Sequence, residues 1–151
     1  MTPILVKALP LLRAAQTALC YLQAPATLAA RIFVGMAFFR SGLTKIADWD
    51  TTLALFSDEY HVPLLPTHVA AVAGTSGELF LPVLLILGLF GRFSALGLSI
   101  VNVVAVLSLS EIAPAALQQH QFWGTLLVAV VLWGPGKWSL DAWWWPKMSR
   151  P

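Results

Sequence analysis

The chain has 151 residues, which is enough for one domain. Hydrophobic residues make up 58% of it and charged residues only 11%, whereas a soluble domain carries roughly 25% charged residues. Too few charges remain to solvate a globular surface, so the composition predicts an all-α protein embedded in a lipid bilayer. The net charge of +2 comes from scattered basic residues beside apolar runs, which argues against nucleic acid as a partner.

The first 25 residues combine leucines with a few basic residues such as Lys7 and Arg13. Their loosely helical spacing predicts an amphipathic helix that lies on the membrane surface, and an unstructured leader is the alternative. Cys20 is the only cysteine, so an internal disulfide and a C-x-x-C redox pair are excluded.

Residues 26–47 form the first predicted membrane span, built around the apolar run IFVGMAFF. This span carries three basic residues. Arg31 lies near its start, Arg40 lies inside it and Lys45 lies near its end. We expect the span to stop at the polar Asp48-Trp49-Asp50 sequence.

A short helix is predicted over residues 50–60, which are too few and too polar to cross a bilayer. Apolar side chains fall on one helical face: Trp49, Leu53, Phe56 and Tyr60. Asp50 is a plausible N-cap, since an aspartate side chain can accept a hydrogen bond from the first free N–H groups of a helix. We interpret the segment as an interfacial helix between spans one and two.

Three further spans are predicted over residues 68–90, 93–110 and 119–135. The tight Gly91-Arg92 turn requires spans two and three to be antiparallel neighbours. Residues 26–138 therefore form a predicted four-helix bundle, followed by an aromatic and basic tail at 139–151 of the kind found at a headgroup interface.

The distribution of charge predicts an orientation. With four spans, both termini and the Gly91-Arg92 turn share one side of the membrane. That side holds seven of the nine basic residues: Lys7, Arg13, Arg31, Arg92, Lys137, Lys147 and Arg150. By the positive-inside rule, we expect a multi-pass protein of a bacterial inner membrane with both termini in the cytoplasm.

Arg40 and Glu78 are the most informative charges, because a charge at membrane depth costs about 2.5–3.5 kcal/mol on insertion scales. In the antiparallel arrangement their depths differ by roughly 5 Å, which long side chains can bridge. We therefore predict an Arg40–Glu78 pair in the outer half of the bundle. Two interpretations are open: a structural clamp, or a catalytic or binding site for a quinone headgroup, a proton or a small anion.

Other polar residues of the spans could extend this site. Thr44 shares a helical face with Arg40, and Lys45 is close to it in the sequence. Lys45 could instead extend to water at the end of its helix. Asn102 could bind Glu78, or could simply hydrogen-bond two helices together.

The three histidines, His61, His68 and His120, all fall on the outer side in this topology. They could form a metal site by ligand type, although no tight H-x-x-x-H spacing supports it. Haem ligation by His68 and His120 has less support, because neither residue lies at mid-membrane. The alternative is that they are ordinary interfacial histidines.

Three runs of the sequence resemble the DoxX family of small bacterial membrane proteins: RIFVGMAFFRSGLTKIADWD, LFSDEYHVPLLP and GELFLPVLLILGLFGRFSALGL. The later GPGKWSLD is similar to the closing segment of that family, so the resemblance covers roughly residues 27–142. Its motif positions are Arg40, Gly42, Lys45, Glu78, Pro82 and Gly88.

The resemblance implies an association with redox or stress systems. The family takes its name from a subunit of a thiosulfate:quinone oxidoreductase, and other members are described with thiol-stress or superoxide-defence partners. Members with a segment similar to DWD…EYHVPLLP occur beside genes for copper-associated modified peptides.

Three functions are therefore considered. The first is a membrane subunit that binds a quinone-like or other small polar ligand near Arg40, Lys45, Thr44, Glu78 and Asn102, as an accessory to a quinone-linked oxidoreductase. The second is a non-enzymatic scaffold in copper handling or partner maturation. The third is a small transporter, for which a homo-oligomer would have to complete the pathway.

Overall fold

The computed structural model describes residues 3–62 and 64–144, and the side chains from residue 9 onwards. Six helices follow one another: α1 Pro3–Ala47, α2 Trp49–Asp58, α3 Thr67–Leu87, α4 Gly91–Ser108, α5 Pro114–Trp133 and α6 Leu140–Trp144. The described part of the chain contains no strand beyond an isolated Tyr60–Leu109 bridge. The all-α prediction is confirmed.

The four long helices α1, α3, α4 and α5 form a closed bundle. Helix α1 packs against α3 and α5, and α4 packs against the same two helices from the other side. Neighbours are antiparallel, so the bundle has two distinct ends. We call them the α2 end, where α1 stops and α3 begins, and the turn end, where residues 88–90 connect α3 to α4.

In the described part of the chain, three helices are long and apolar enough to cross a membrane: α1 from Leu9 onwards, α3 and α4. Helix α5 has 20 residues and lies in the same bundle, but the polar run Gln118-Gln119-His120-Gln121 lowers its hydropathy. The chain is therefore a multi-pass membrane protein, and α5, which is not among these three helices, is held in the bundle by its neighbours.

Helix α1 is longer than predicted. The sequence suggested a separate surface helix ending near residue 25, whereas the structure has one helix that continues through Pro25. Proline removes one backbone hydrogen bond, but the flanking alanines and leucines favour helix and the Thr27 hydroxyl donates to Gln23 O at 2.7 Å. Every described side chain from Leu9 to Gln23 is exposed, so this arm has no contact that buries it.

Close contact between α1 and α3 depends on small residues. A Cβ atom at Gly42 would lie 2.9 Å from the Leu79 side chain and 3.2 Å from the backbone of Glu78. In lipid, helices associate largely through such packing rather than through the hydrophobic effect. The missing side chain therefore lets the two backbones approach beside the charged residues described below.

Helix α2 covers the α2 end of the bundle. Its Phe56 is buried against Ala70 and Ala71 of α3, and further apolar residues pack around this contact: Trp49, Leu53, Tyr60 and Val62. The predicted apolar face of this short helix is confirmed.

The N-cap of α2 is Asp48, not Asp50 as predicted. The Asp48 carboxylate accepts from the Thr51 backbone N–H at 3.0 Å and from the Thr51 hydroxyl at 2.7 Å. A capping residue precedes the first helical residue, and Asp50 already lies within the first turn. These two hydrogen bonds hold the pKa of Asp48 below its usual value.

Helix α5 begins at Pro114, five residues before the predicted start of the fourth span. Proline suits the first turn of a helix, where its missing N–H would have had no intrahelical partner. The earlier start adds more than a turn and places His120 well inside the helix. Of the predicted tail, Leu140–Trp144 forms α6 and residues 145–151 lie outside the described part.

A hydrogen-bonded network closes the turn end, and we call it the turn-end network. Arg31 is 1% exposed and donates to Leu85 O at 3.1 Å, to Ile86 O at 3.0 Å and to Trp138 O. Its guanidinium thus binds carbonyl groups in the last turn of α3, where the helix itself supplies few donors. Leu85 O accepts from the Gly88 N–H as well. Arg31, which the sequence analysis placed near the start of the first span, is thus fully buried and joins α1 to α3 and to the segment before α6.

Asp141 provides the second half of the network. Its carboxylate accepts from the backbone N–H groups of Phe90 at 2.8 Å and Gly91 at 2.7 Å, where α4 begins. Gly88, at φ +67°, ends α3 in the left-handed conformation that favours glycine. A Cβ atom there would collide with the Arg31 guanidinium and with Ser139.

Candidate functional site

An ion pair lies between α1 and α3 in the half of the bundle nearest α2. Lys45 Nζ is 2.5 Å from Glu78 Oε2 and 3.1 Å from Ser41 Oγ. Glu78 is 6% exposed, and the side chain of Lys45 is 18% exposed. The close approach at Gly42, less than one turn before Lys45, allows the two side chains to meet. The carboxylate is therefore held away from bulk solvent by one defined partner.

The predicted Arg40–Glu78 pair is wrong. Among the described residues, Lys45–Glu78 is the ion pair that forms, and Arg40 is exposed on the outside of the bundle. The prediction compared how deep Arg40 and Glu78 lie in the membrane, but not the direction in which each side chain projects from its helix. At 100° per residue, Arg40 and Lys45 differ by about 140° around α1, so they cannot face α3 together.

The other candidates from span one divide in the same way. Of the two alternatives for Lys45, the structure has the one in which it extends the polar site, because its amine binds Glu78 and Ser41 instead of extending to water. Thr44 is exposed, and its hydroxyl donates to Arg40 O at 3.0 Å within the same helix. The structure therefore brings Lys45 and Glu78 together and leaves Arg40 and Thr44 outside.

A second polar pair joins α4 to α5. The Asn102 amide donates to His120 O at 3.0 Å, and Asn102 Oδ1 lies 2.7 Å from His120 Nδ1. Because the amide oxygen can only accept, Nδ1 must carry the proton. His120 Nε2 has no hydrogen bond to any described residue, so its lone pair can accept a proton or bind a ligand. The interpretation of Asn102 as a contact between helices is confirmed, whereas a bond to Glu78 is not formed.

The two pairs face a common interior, and we call the group Ser41, Lys45, Glu78, Asn102 and His120 the polar cluster. Glu78 and His120 interact electrostatically, although no hydrogen bond joins them. Trp123 borders the cluster. Its ring lies 5.1 Å from that of His120 and 5.5 Å from that of Phe38. The cluster thus combines a carboxylate, an amine and an imidazole with an aromatic wall.

A cavity of about 330 Å³ opens at the α2 end, between α2 and the start of α3. Its lining includes Phe56, Ser57, Tyr60, His61, Thr67 and Ala70. Burial raises the pKa of the Tyr60 phenol, and the negative charges of Glu78 and Glu59 raise it further. Tyr60 therefore borders the cavity and senses the charge of the polar cluster, as a phenol that stays neutral.

The three histidines do not form a common site. No group of three metal-ligating side chains occurs among residues 3–62 and 64–144. His68 packs edge-on against Trp49 at 6.5 Å, and the ring of His61 faces Glu59 O at 3.3 Å. His120 is bound to Asn102 deeper in the bundle. A shared metal centre and haem ligation by His68 with His120 both lack this geometric support.

Sequence reasoning missed the pairing of His120 with Asn102 and the position of Tyr60 near Glu78. It also chose the wrong partner for Glu78, and for that choice a signal was available in the spacing of the small, aromatic and basic residues of α1. Arg31, Gly35, Phe38, Gly42 and Lys45 repeat at intervals of four and three residues, which marks one face of a helix. Arg40 is absent from that series.

Comparison with known proteins agrees with this architecture. The sequence model of the DoxX family matches residues 26–111, more than half of the chain. An uncharacterized protein of Haemophilus influenzae is 32% identical over 120 residues, which cover 74% of this chain and 78% of that protein. No solved structure matches the chain. The matched residues include the Lys45–Glu78 pair and Asn102, and the chain belongs to the DoxX family.

Proposed function

We propose that this protein is a membrane subunit of a redox or stress-response system that binds a quinone-like or other small polar headgroup at the polar cluster. The observation that carries the proposal is the ion pair between the partly buried Lys45 and the buried Glu78, close to His120, whose Nε2 has no hydrogen bond to any described residue. Titratable residues at membrane depth are costly and are typical of ligand sites and proton relays. A purely structural pair would not need a free imidazole nitrogen beside it.

The residue types fit quinone chemistry. Reduction of a quinone consumes two electrons and two protons, and oxidation of the quinol releases them. Glu78 and His120 could take up and return the protons, while Lys45 and Ser41 could bind oxygen atoms of the headgroup. The electrons would come from a partner protein. Trp123 and Phe38 would provide flat apolar surfaces for the ring.

The cavity beside Tyr60 suggests how the cluster could exchange protons or ligand with the outside. The cavity opens at the α2 end. Tyr60 lines it and also interacts electrostatically with Glu78 of the polar cluster. We propose that the α2 end faces away from the cytoplasm in a bacterial inner membrane. A reporter enzyme fused after Pro151 should then be active in the cytoplasm, and periplasmic activity would reverse the orientation.

Binding of a short-chain benzoquinone to the purified protein in lipid nanodiscs tests the main proposal. We expect Lys45→Met, Glu78→Gln and His120→Phe each to weaken binding by about tenfold, which corresponds to 1.4 kcal/mol. Arg40→Met is the matched control, because it removes an exposed basic residue from the same helix. Equal affinities for Lys45→Met and Arg40→Met would contradict the site, as would the absence of binding to the unmodified protein.

A second function, a scaffold for a partner protein, is favoured by one observation. The α1 arm exposes apolar side chains over several turns: Leu11, Leu12, Leu19, Tyr21 and Leu22. A partner could cover this surface, whether in copper handling or in maturation of another protein. We expect a chain lacking residues 3–22 to keep quinone binding but lose biological function if scaffolding is the role. Full function without the arm would exclude it.

A further inference from the structure

Two buried hydrogen-bonding atoms near the polar cluster have no partner among the described residues. They are Thr75 Oγ1 on α3 and Trp123 Nε1 on α5. Thr75 is 3% exposed, so water outside the bundle does not reach it. Buried polar groups nearly always find a partner, and one that lacks it usually marks a bound water or ligand. Arg31 Nε also lacks a partner, but its guanidinium is already bound at the turn end.

Both unpaired atoms lie about two turns into their helices, counted from the α2 end. Helices α3 and α5 begin at the α2 end, and Thr75 and Trp123 follow their first residues by eight and nine positions. At 1.5 Å per residue these positions are roughly 12 and 13.5 Å deep. Thr75 shares a helical face with Glu78, one turn further in, and the Trp123 ring contacts His120. Each unpaired atom therefore belongs to the border of the polar cluster.

The two atoms restrict the chemistry of what they could bind. An indole N–H can only donate a hydrogen bond, so Trp123 requires an acceptor, and the Thr75 hydroxyl can donate as well. A carbonyl oxygen has two lone pairs and could accept from both. The charges of Lys45 and Glu78 compensate each other, so no net positive charge is left to pair with an anion. A neutral acceptor fits better, because burying an unpaired charge is costly.

We propose that Thr75 Oγ1 and Trp123 Nε1 bind one neutral carbonyl oxygen of the ligand. This inference rests on the proposed function and identifies the atom by which the ligand is recognised. It places Thr75 and Trp123 in the binding site as residues that hold the ligand, while Glu78 and His120 exchange protons with it.

Indole NMR of the full chain tests the proposal. The protein labelled with ¹⁵N at its seven tryptophan indoles is titrated with a short-chain benzoquinone in nanodiscs. The Trp123 signal, assigned by its loss in Trp123→Phe, should move downfield as its N–H gains an acceptor. Benzoate, an anion of similar size, should leave it unchanged.

Variants of the threonine complete the test. We expect Thr75→Val, which keeps the shape and removes the hydroxyl, to weaken quinone binding at least fivefold. Thr75→Ser should retain binding and shows that the position tolerates substitution. Thr125→Val is the matched control, because Thr125 is exposed on α5 and donates within its own helix to Gln121 O.

The possible failures can be told apart. Quinone binding that leaves the Trp123 signal in place overturns this inference while the proposed function stands. A Trp123 signal already shifted downfield without quinone, exchanging with solvent and unaffected by the titration, shows a buried water instead and also overturns it. Absence of quinone binding overturns both. An equal response to benzoate contradicts the neutral carbonyl.

Discussion

Two basic residues of α1, the buried Arg31 and the partly buried Lys45, occupy opposite halves of the bundle and are held in different ways. Arg31 at the turn end donates to backbone carbonyl groups, whereas Lys45 near the α2 end binds the side chain of Glu78. Both lie on the same face of α1, two heptads apart. Backbone carbonyl groups do not change their protonation state and cannot be replaced by another side chain. The turn-end network is therefore a purely structural contact. The polar cluster consists of side chains that can change protonation and partner.

The largest expected effect comes from breaking the turn-end network. Arg31→Met should destabilise the protein by about 3 kcal/mol or more, because hydrogen bonds to charged groups contribute about 1.5–3 kcal/mol each and the variant loses three of them. Unfolding in a detergent titration followed by circular dichroism measures the change. Arg40→Met, the same substitution at an exposed position, should change stability by less than about 0.5 kcal/mol. Similar losses in both variants would contradict the structural role of Arg31.

An intermediate effect is expected in the polar cluster. Glu78→Leu alone should cost about 1–2 kcal/mol, because it leaves the largely buried amine of Lys45 without its partner. The double variant Lys45→Met/Glu78→Leu should recover most of this loss, since an ion pair can often be replaced by apolar residues. The same titration, run on both variants, shows whether stability returns.

This rescue distinguishes the two regions. No second substitution can restore the turn-end network, because the partners of Arg31 are backbone atoms. Under the proposed function, the double variant in the cluster would be stable yet unable to bind quinone. A double variant that is as unstable as Glu78→Leu would show that the ion pair is needed for folding and would weaken the comparison.

The smallest effect is expected at the exposed cap of α2. Asp48→Ala should increase hydrogen exchange at the first amides of α2 without unfolding the bundle. The pKa of Asp48 is lower in the folded protein than in the unfolded chain. The cap is therefore intact at any pH above the ordinary pKa of aspartate, and it is lost as the pH falls through the lowered pKa of the folded protein. Mass-spectrometric exchange at neutral and acidic pH measures this. Asp50→Ala, which removes the next acidic residue, should have less effect at neutral pH.

The sequence was sufficient to predict the membrane class, the central part of each long helix and the apolar face of α2, because hydropathy and periodicity are local properties. It was insufficient for the partner of Glu78. Depth follows from counting residues, but direction around a helix decides which of Arg40 and Lys45 faces α3. The spacing of Gly35, Phe38, Gly42 and Lys45 places these four residues on one face of α1, and that face indicates Lys45 as the partner.

Other features depend on contacts that no local pattern reveals. The carbonyl partners of Arg31 come from residues 54, 55 and 107 positions away. The Asn102–His120 pair requires the register between α4 and α5, which the periodicity of either helix alone does not give. Unpaired atoms such as Trp123 Nε1 are defined by what surrounds them in three dimensions, so they too become visible only in the structure.

The bond between Arg31 and Trp138 O has a consequence for how the protein is made. Arg31 leaves the ribosome early, yet one of its acceptors is synthesised more than a hundred residues later. Until then, the first inserted helix carries a guanidinium whose partners are incomplete. Final assembly must therefore wait for the C-terminal segment to dock, and a chain that terminated before Trp138 would expose this defect to membrane quality-control proteases.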